Sequence, residues 1–412
     1  MHRRRLARQT GRVPSRSRPP LNWLVIGLAA LLGLSACSRA AAEPPGWVPQ
    51  TTFAGDGGQN NAPDDGASAT PSPPSGSSTT QSPSSGATSS SAGDPNVLAK
   101  NLTTPTGLII LPDGSALVGE RTTGRIVSVQ PEPDQPVVEV KTLSGLDTSG
   151  DGGLLDLALS PTYAEDGLIY AYITTATDNR VVDFTATGTP TPVFTGIPKG
   201  ATGNTGRILF STDGDLYIGT GDAGNAALAP DPTSLAGKVL RVNAIGQPVG
   251  ATAVFASGLS ESEGLCANEA GVIFQSESGG GDELNQIASG ANYGFPTATA
   301  TATPPVATAP AGEGGFGGCA VIGPVIYVTS RDGSDLLGAP LTNSTQSAAA
   351  PKVGTLVSED ITKYGRLLTV VAASDGALWL TTTNKDGKGT PGPDDERVIR
   401  IIPQSGGADS PI

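Results

Sequence analysis

Histidine is nearly missing from this chain: His2 is the only one in 412 residues, and it sits in a leader that reads as removable. Imidazole acid–base catalysis, Ser–His or Cys–His nucleophiles and histidine metal sites are therefore excluded for the mature protein. Cysteine is scarce, with Cys37, Cys266 and Cys319 alone, and aromatic residues make up 4%. Beyond Trp23 in the leader, the tryptophans are Trp47 and Trp379, which leaves few stacking platforms for a polysaccharide. No Lys/Arg cluster follows residue 18, so the basic face that nucleic acid demands is absent and nucleic acid is not an expected partner. Long helical periodicity is lacking too, which argues against an α/β fold.

What is present begins with Arg3, Arg4, Arg5, Arg8, Arg12, Arg16 and Arg18, with no acid, and then an apolar run from Leu21 to Leu34. That is the order of a secretory signal, and the run is short for a membrane span. Leu34-Ser35-Ala36-Cys37 follows and resembles the bacterial lipobox. Residues 1–36 are expected to be removed and Cys37 acylated, giving an extracytoplasmic protein lipid-anchored to the bacterial cell membrane. An ordinary signal peptide with an incidental cysteine, or an uncleaved membrane helix, is the alternative. Without the leader, 18 basic residues face 38 acidic ones. Export to an oxidising compartment favours a disulfide between Cys266 and Cys319. Two separate buried thiols are the alternative, because spacing along the chain sets no distance in space.

Residues 37–95 are dominated by Ser, Pro, Gly, Thr and Ala. Such a stretch cannot bury enough surface to offset its ordering entropy, so it is expected to be a disordered stalk. Residues 406–412 read as a disordered tail. Thr297 to Gly318, with its Thr-Ala alternation, reads as an exposed loop within the head.

Between 96 and 405 short β-branched runs are punctuated by Asp-Gly turns. Leu108 to Val118 forms strand, turn and strand around Asp113-Gly114. The pattern recurs around Asp213-Gly214 and Asp375-Gly376, with weaker copies at Asp166-Gly167, Ala270-Gly271 and Asp332-Gly333. Intervals of about fifty residues match a four-stranded blade, so the expected fold is all-β, a six-bladed β-propeller. A pair of β-sandwiches is the alternative.

Several segments resemble the soluble PQQ-dependent glucose and sorbosone (aldose sugar) dehydrogenase-like family. They include Pro105-Thr106-Gly107-Leu108, Glu120-Arg121, Gly153 to Pro161, Gly206-Arg207 and Gly219 to Gly224. Ser234 to Lys238, Gly281 to Asn285 and Ala291 to Gly294 complete the set. The resemblance implies a six-bladed propeller that oxidises aldoses with PQQ held over a calcium ion. It also implies a catalytic histidine at Gly203 and a cofactor arginine at Ser260, neither of which is present. Arg366 matches one of two paired cofactor arginines, Leu368 stands in place of the other, and Arg331 corresponds to a cofactor lysine. Glu283 and Tyr293 match a structural calcium site. Glu277 and Ser278 occupy positions whose carbonyls hold the cofactor's calcium; for Glu283 a hydrogen-bonded turn acid is the alternative.

Asp151, Glu261 and Glu263 are the carboxylates left as candidate bases. With the arginine counterparts lost, these acids are expected to reverse the charge of the site and repel a tricarboxylate. Asp386-Gly387 and Asp394-Asp395 read as a solvated hairpin. Three functions compete: a non-catalytic module for a small polar ligand, a sugar or an envelope protein; a dehydrogenase using a carboxylate base; and a calcium-dependent lactonase-type hydrolase.

Overall fold

A computed structural model describes residues 93–342 and 351–403. The leader, Cys37, the stalk up to residue 92 and the 406–412 tail lie outside the described residues. Six antiparallel sheets are arranged as the blades of a propeller. Their innermost strands are Pro105–Ile110, Leu154–Leu159, Gly206–Phe210, Glu261–Ala267, Phe316–Ile322 and Leu367–Ala372. Each packs against the next, and the last against the first, around a central channel. The only α-helix among the described residues is one turn, Tyr163–Asp166.

The ring closes with a strand from the start of the head. Val97–Ala99 pairs with Val398–Ile401, so the sixth blade mixes both ends of the sequence. Packing reinforces the join, because Trp379 of the sixth blade is buried with Leu108, Val118 and Val398. Each such side chain taken out of water contributes roughly 1.5–3 kcal/mol.

The Asp-Gly turns work through local chemistry. Gly114 takes φ 86°, which side-chain-bearing residues rarely adopt, and Asp113 Oδ1 accepts the Ser115 amide at 3.0 Å. Two sequence expectations need correction, and a third holds in part. In the fifth blade the first hairpin turns at Gly323-Pro324, between Phe316–Ile322 and Val325–Ser330, whereas Asp332-Gly333 joins the second strand to the third. The segment Thr297 to Gly318 is only partly a loop: Ala307–Thr308 pairs as the outer strand of the fourth blade. Its end opens the fifth blade's innermost strand, where Phe316 is fully buried. The 386–396 region is a solvated hairpin loop over most of 386–394, between the antiparallel strands Leu378–Thr382 and Val398–Ile401, but not at its end. Asp395 and Glu396 are buried, and Glu396 accepts from Thr382 Oγ1 at 2.7 Å and the Asn384 amide at 2.8 Å.

Candidate ligand site at the channel mouth

Five of the six innermost strands break register with their neighbours near their first residues, the exception being Gly206–Phe210. Such bulges bend a strand and re-aim its side chains and carbonyls. Thr106, Leu155, Glu263 and Leu368 lie within these irregularities, and all four line a cavity of about 260 Å³ at the channel mouth.

Arg207, from the regular third strand, ties the bulges together. Its Nε donates to Glu263 O at 2.6 Å, and its Nη1 donates to Thr106 O at 3.2 Å and Leu155 O at 3.0 Å. The guanidinium also lies 3.7 Å from Asp156 and 3.9 Å from the Glu263 carboxylate. Carbonyls displaced from their ladders are thus satisfied by one buried cation contacting three other blades. Burial pushes Asp156 up to about 6, with Arg207 opposing. Arg207 and Glu263 line both the mouth and a second cavity of about 320 Å³ on the far side, so they form a partition within the channel.

The sequence-derived cofactor residues are already paired. Arg331 donates to the Glu263 carboxylate at 2.9 Å, to Ser278 Oγ at 3.0 Å and to Gly315 O at 3.0 Å. Arg366 is 8% exposed and held by Asp386 at 2.8 Å and Asp332 at 3.1 Å. Ser260 donates to Ser278 O at 2.5 Å and also lies 3.2 Å from Glu277. Leu368 presents only hydrocarbon to the mouth.

The three candidate bases separate clearly. Asp151 accepts from the Gly203 amide at 2.7 Å and from Asn204 Nδ2 at 2.5 Å, so it holds the 200–204 loop. Glu263 is shared among Ser278, Arg331 and Arg207. Glu261 lines the mouth with no hydrogen bond or ion pair to its carboxylate among the described residues. Burial first, then Glu263, Asp151 and Asp222, push it up to about 7.

Position 203 has no room for a side chain. Its φ is 69°, and a β-carbon there would lie 2.4 Å from Asp222 Oδ1 and 2.5 Å from the Gly224 amide nitrogen.

Of the calcium set, Glu277 and Glu283 face each other across paired strands. Burial first, with Glu283 adding to it, pushes Glu277 up to about 7. Tyr293 is engaged elsewhere, its hydroxyl donating to Gln286 O at 2.5 Å and accepting from the Ala288 amide at 3.1 Å. Among the described residues no group of three or more acidic, histidine or cysteine side chains is arranged around a metal position.

Sequence reasoning missed two residues of the mouth. Arg121 was visible only within a family-like dipeptide, and Arg207 only as a neighbour of the histidine position. With them, the acidic excess of the mouth is small: Arg121, Arg207 and Arg331 stand beside Asp151, Glu261, Glu263 and Asp386. Cys266 and Cys319 form a disulfide, Cα–Cα 5.7 Å, joining the innermost strands of the fourth and fifth blades.

The class of protein is therefore a six-bladed propeller with a charged, ligand-sized cavity at one end of its channel. A family model described as Glucose / Sorbosone dehydrogenase matches residues 102–315, and the chain belongs to that family. It is 28% identical over 250 residues to quinoprotein glucose dehydrogenase B of Acinetobacter calcoaceticus, covering 49% of this chain and 52% of that one. To an aldose sugar dehydrogenase of Escherichia coli K12 it is 29% identical over 238 residues, covering 49% and 62%. The chain thus spans little more than half the length of these curated relatives. Among solved structures it resembles the PQQ-bound aldose sugar dehydrogenase of Streptomyces coelicolor, at TM-score 0.66 and 36% identity, covering 74% of this chain and 95% of that one. A glucose dehydrogenase-type putative oxidoreductase of Thermus thermophilus matches at TM-score 0.66 and 33% identity, covering 74% and 98%.

Proposed function

We propose that this protein is a lipid-anchored, extracytoplasmic propeller that binds a small polar ligand at its channel mouth and has lost quinone-dependent sugar oxidation. The observation that carries this reading is position 203. The family's base would stand there, yet glycine occupies it in a conformation and a space that admit no imidazole. The cofactor side agrees. PQQ carries three carboxylates and needs cations free to meet them. Arg331 and Arg366 are each bound to acids, and Ser260 and Leu368 carry no charge. Arg121 alone keeps a free edge, one guanidinium against three carboxylates, so the residues present do not fit that group.

For a calcium ion Glu283 is the carboxylate at hand; Glu277 faces it across the paired strands, but its oxygens already accept from Ser260 and Asn285. Anchoring would come from the acyl chains on Cys37, and Cys37→Ala should release the protein from the membrane fraction; retention there would contradict the anchor.

One observation favours a second reading, a retained dehydrogenase. Glu261 is an unpaired carboxyl poised near neutrality in the mouth, a state suited to accepting a hydroxyl proton. Dye-linked oxidation of aldoses by the full chain, supplied with PQQ and calcium, separates the two. No dye reduction is expected. Turnover that disappears in Glu261→Gln would establish the dehydrogenase instead.

A further inference from the structure

We propose that the ligand of the mouth is a sugar acid, a hexose-sized polyol bearing one carboxylate, bound by Arg121 and Glu261. This rests on the reading of the mouth as a small-ligand site. Every other charged side chain lining the mouth is already engaged by protein. Arg207 binds three carbonyls, Arg331 and Glu263 bind each other, Asp151 holds the 200–204 loop, and Asp386 pairs with Arg366.

Arg121 is the exception among the arginines. It follows the strand Ala116–Glu120 of the first blade, and its Nη1 donates to Gly150 O at 3.1 Å and Gly152 O at 3.0 Å. Those bonds fix the guanidinium while leaving Nε and Nη2 with no acceptor, and no carboxylate lies within 4.0 Å, among the described residues. A guanidinium held by carbonyls and presenting a free edge to a cavity is a receptor for a carboxylate. Glu261 opens the innermost strand of the fourth blade, which in a ring of six lies opposite the first. The ligand must therefore span the channel, offering an anion at one end and hydroxyl donors at the other. A cavity of about 260 Å³ is of the size for one sugar ring.

Calorimetric titration of the full chain with galacturonate, galactose and glucosamine at pH 7 tests this. Galacturonate should bind roughly tenfold or more tighter than galactose, the usual scale for one charge-assisted bidentate contact. Arg121→Gln should erase that preference, Arg121→Lys should keep part of it, and Glu261→Gln should weaken both the acid and the neutral sugar. Melting curves check that the Arg121 variants, which lose bonds to Gly150 and Gly152, remain folded; the lysine variant keeps the test alive if the glutamine variant does not. Equal binding of acid and neutral sugar, tighter binding of glucosamine, absence of binding by all three, or a preference indifferent to Arg121 would each overturn the assignment. Galactose binding alone would leave the small-ligand reading standing, whereas dye-linked sugar oxidation would sink that reading instead.

Discussion

Arg207 and Glu263 meet twice: the guanidinium Nε donates to the Glu263 carbonyl at 2.6 Å, and Nη2 stands 3.9 Å from its carboxylate. The contact joins the third blade to the fourth at the point where the channel divides, and Thr106 and Leu155 extend it to the first and second.

Arg207→Met should therefore act as a stability mutation. It strips a partner from three carbonyls and leaves Asp156 and Glu263 buried with less compensation, a situation that typically costs about 3–5 kcal/mol. Thermal unfolding should show a fall in Tm of more than roughly 5 °C. A shift within a degree or two would mean that water satisfies these carbonyls.

Gly203→His restores the family residue in name only. The backbone there is left-handed, and the new β-carbon would collide with Asp222 and Gly224. The variant should lose about 1–3 kcal/mol of stability and gain no sugar-oxidising activity. Dye reduction by this variant would show that the loop can rearrange to seat an imidazole.

Stability should fall as pH rises toward neutrality. Glu277 goes from an ordinary 4.5 up to about 7, and Asp156 from 3.8 up to about 6, each chiefly because burial disfavours the charged form. A carboxyl raised by folding binds its proton more tightly in the folded state. Its stabilising contribution is complete below the unfolded pKa, near 4, and is lost as pH climbs through about 6 to 7. In chelator, Tm of the wild type should drop between pH 5 and 8 more steeply than that of Glu277→Gln, and added calcium should raise Tm most at pH 8. Parallel pH curves for the two proteins would refute the assignment to Glu277.

Breaking the Cys266–Cys319 bridge should destabilise without dismantling the propeller. The bridge closes a loop of 53 residues in sequence separation, for which about 2–4 kcal/mol is expected, while ring closure through Val97–Ala99 is untouched. A double Cys→Ser variant should melt lower but keep its β-sheet circular dichroism.

The propeller was legible because turns at Asp113-Gly114, Asp213-Gly214 and Asp375-Gly376 announce themselves in residue type. The fifth blade was placed one hairpin late because its first turn is Gly323-Pro324, which carries no such mark. The site was less legible. Bulges at Thr106, Leu155 and Glu263 interrupt the two-residue alternation over a single residue and leave no compositional trace. Arg207 finds its acceptors 52 to 101 residues away in sequence, a relation that only closure of the ring creates. The scarcity of histidine could be read from sequence, but the absence of space for a side chain at Gly203 could not.

On the proposed reading the mouth should not seat a tricarboxylate quinone. Absorbance titration of the full chain with PQQ in the presence of calcium tests it most directly. No saturable spectral change is expected at micromolar PQQ. A stoichiometric, tightly bound quinone that bleaches when an aldose is added would contradict it.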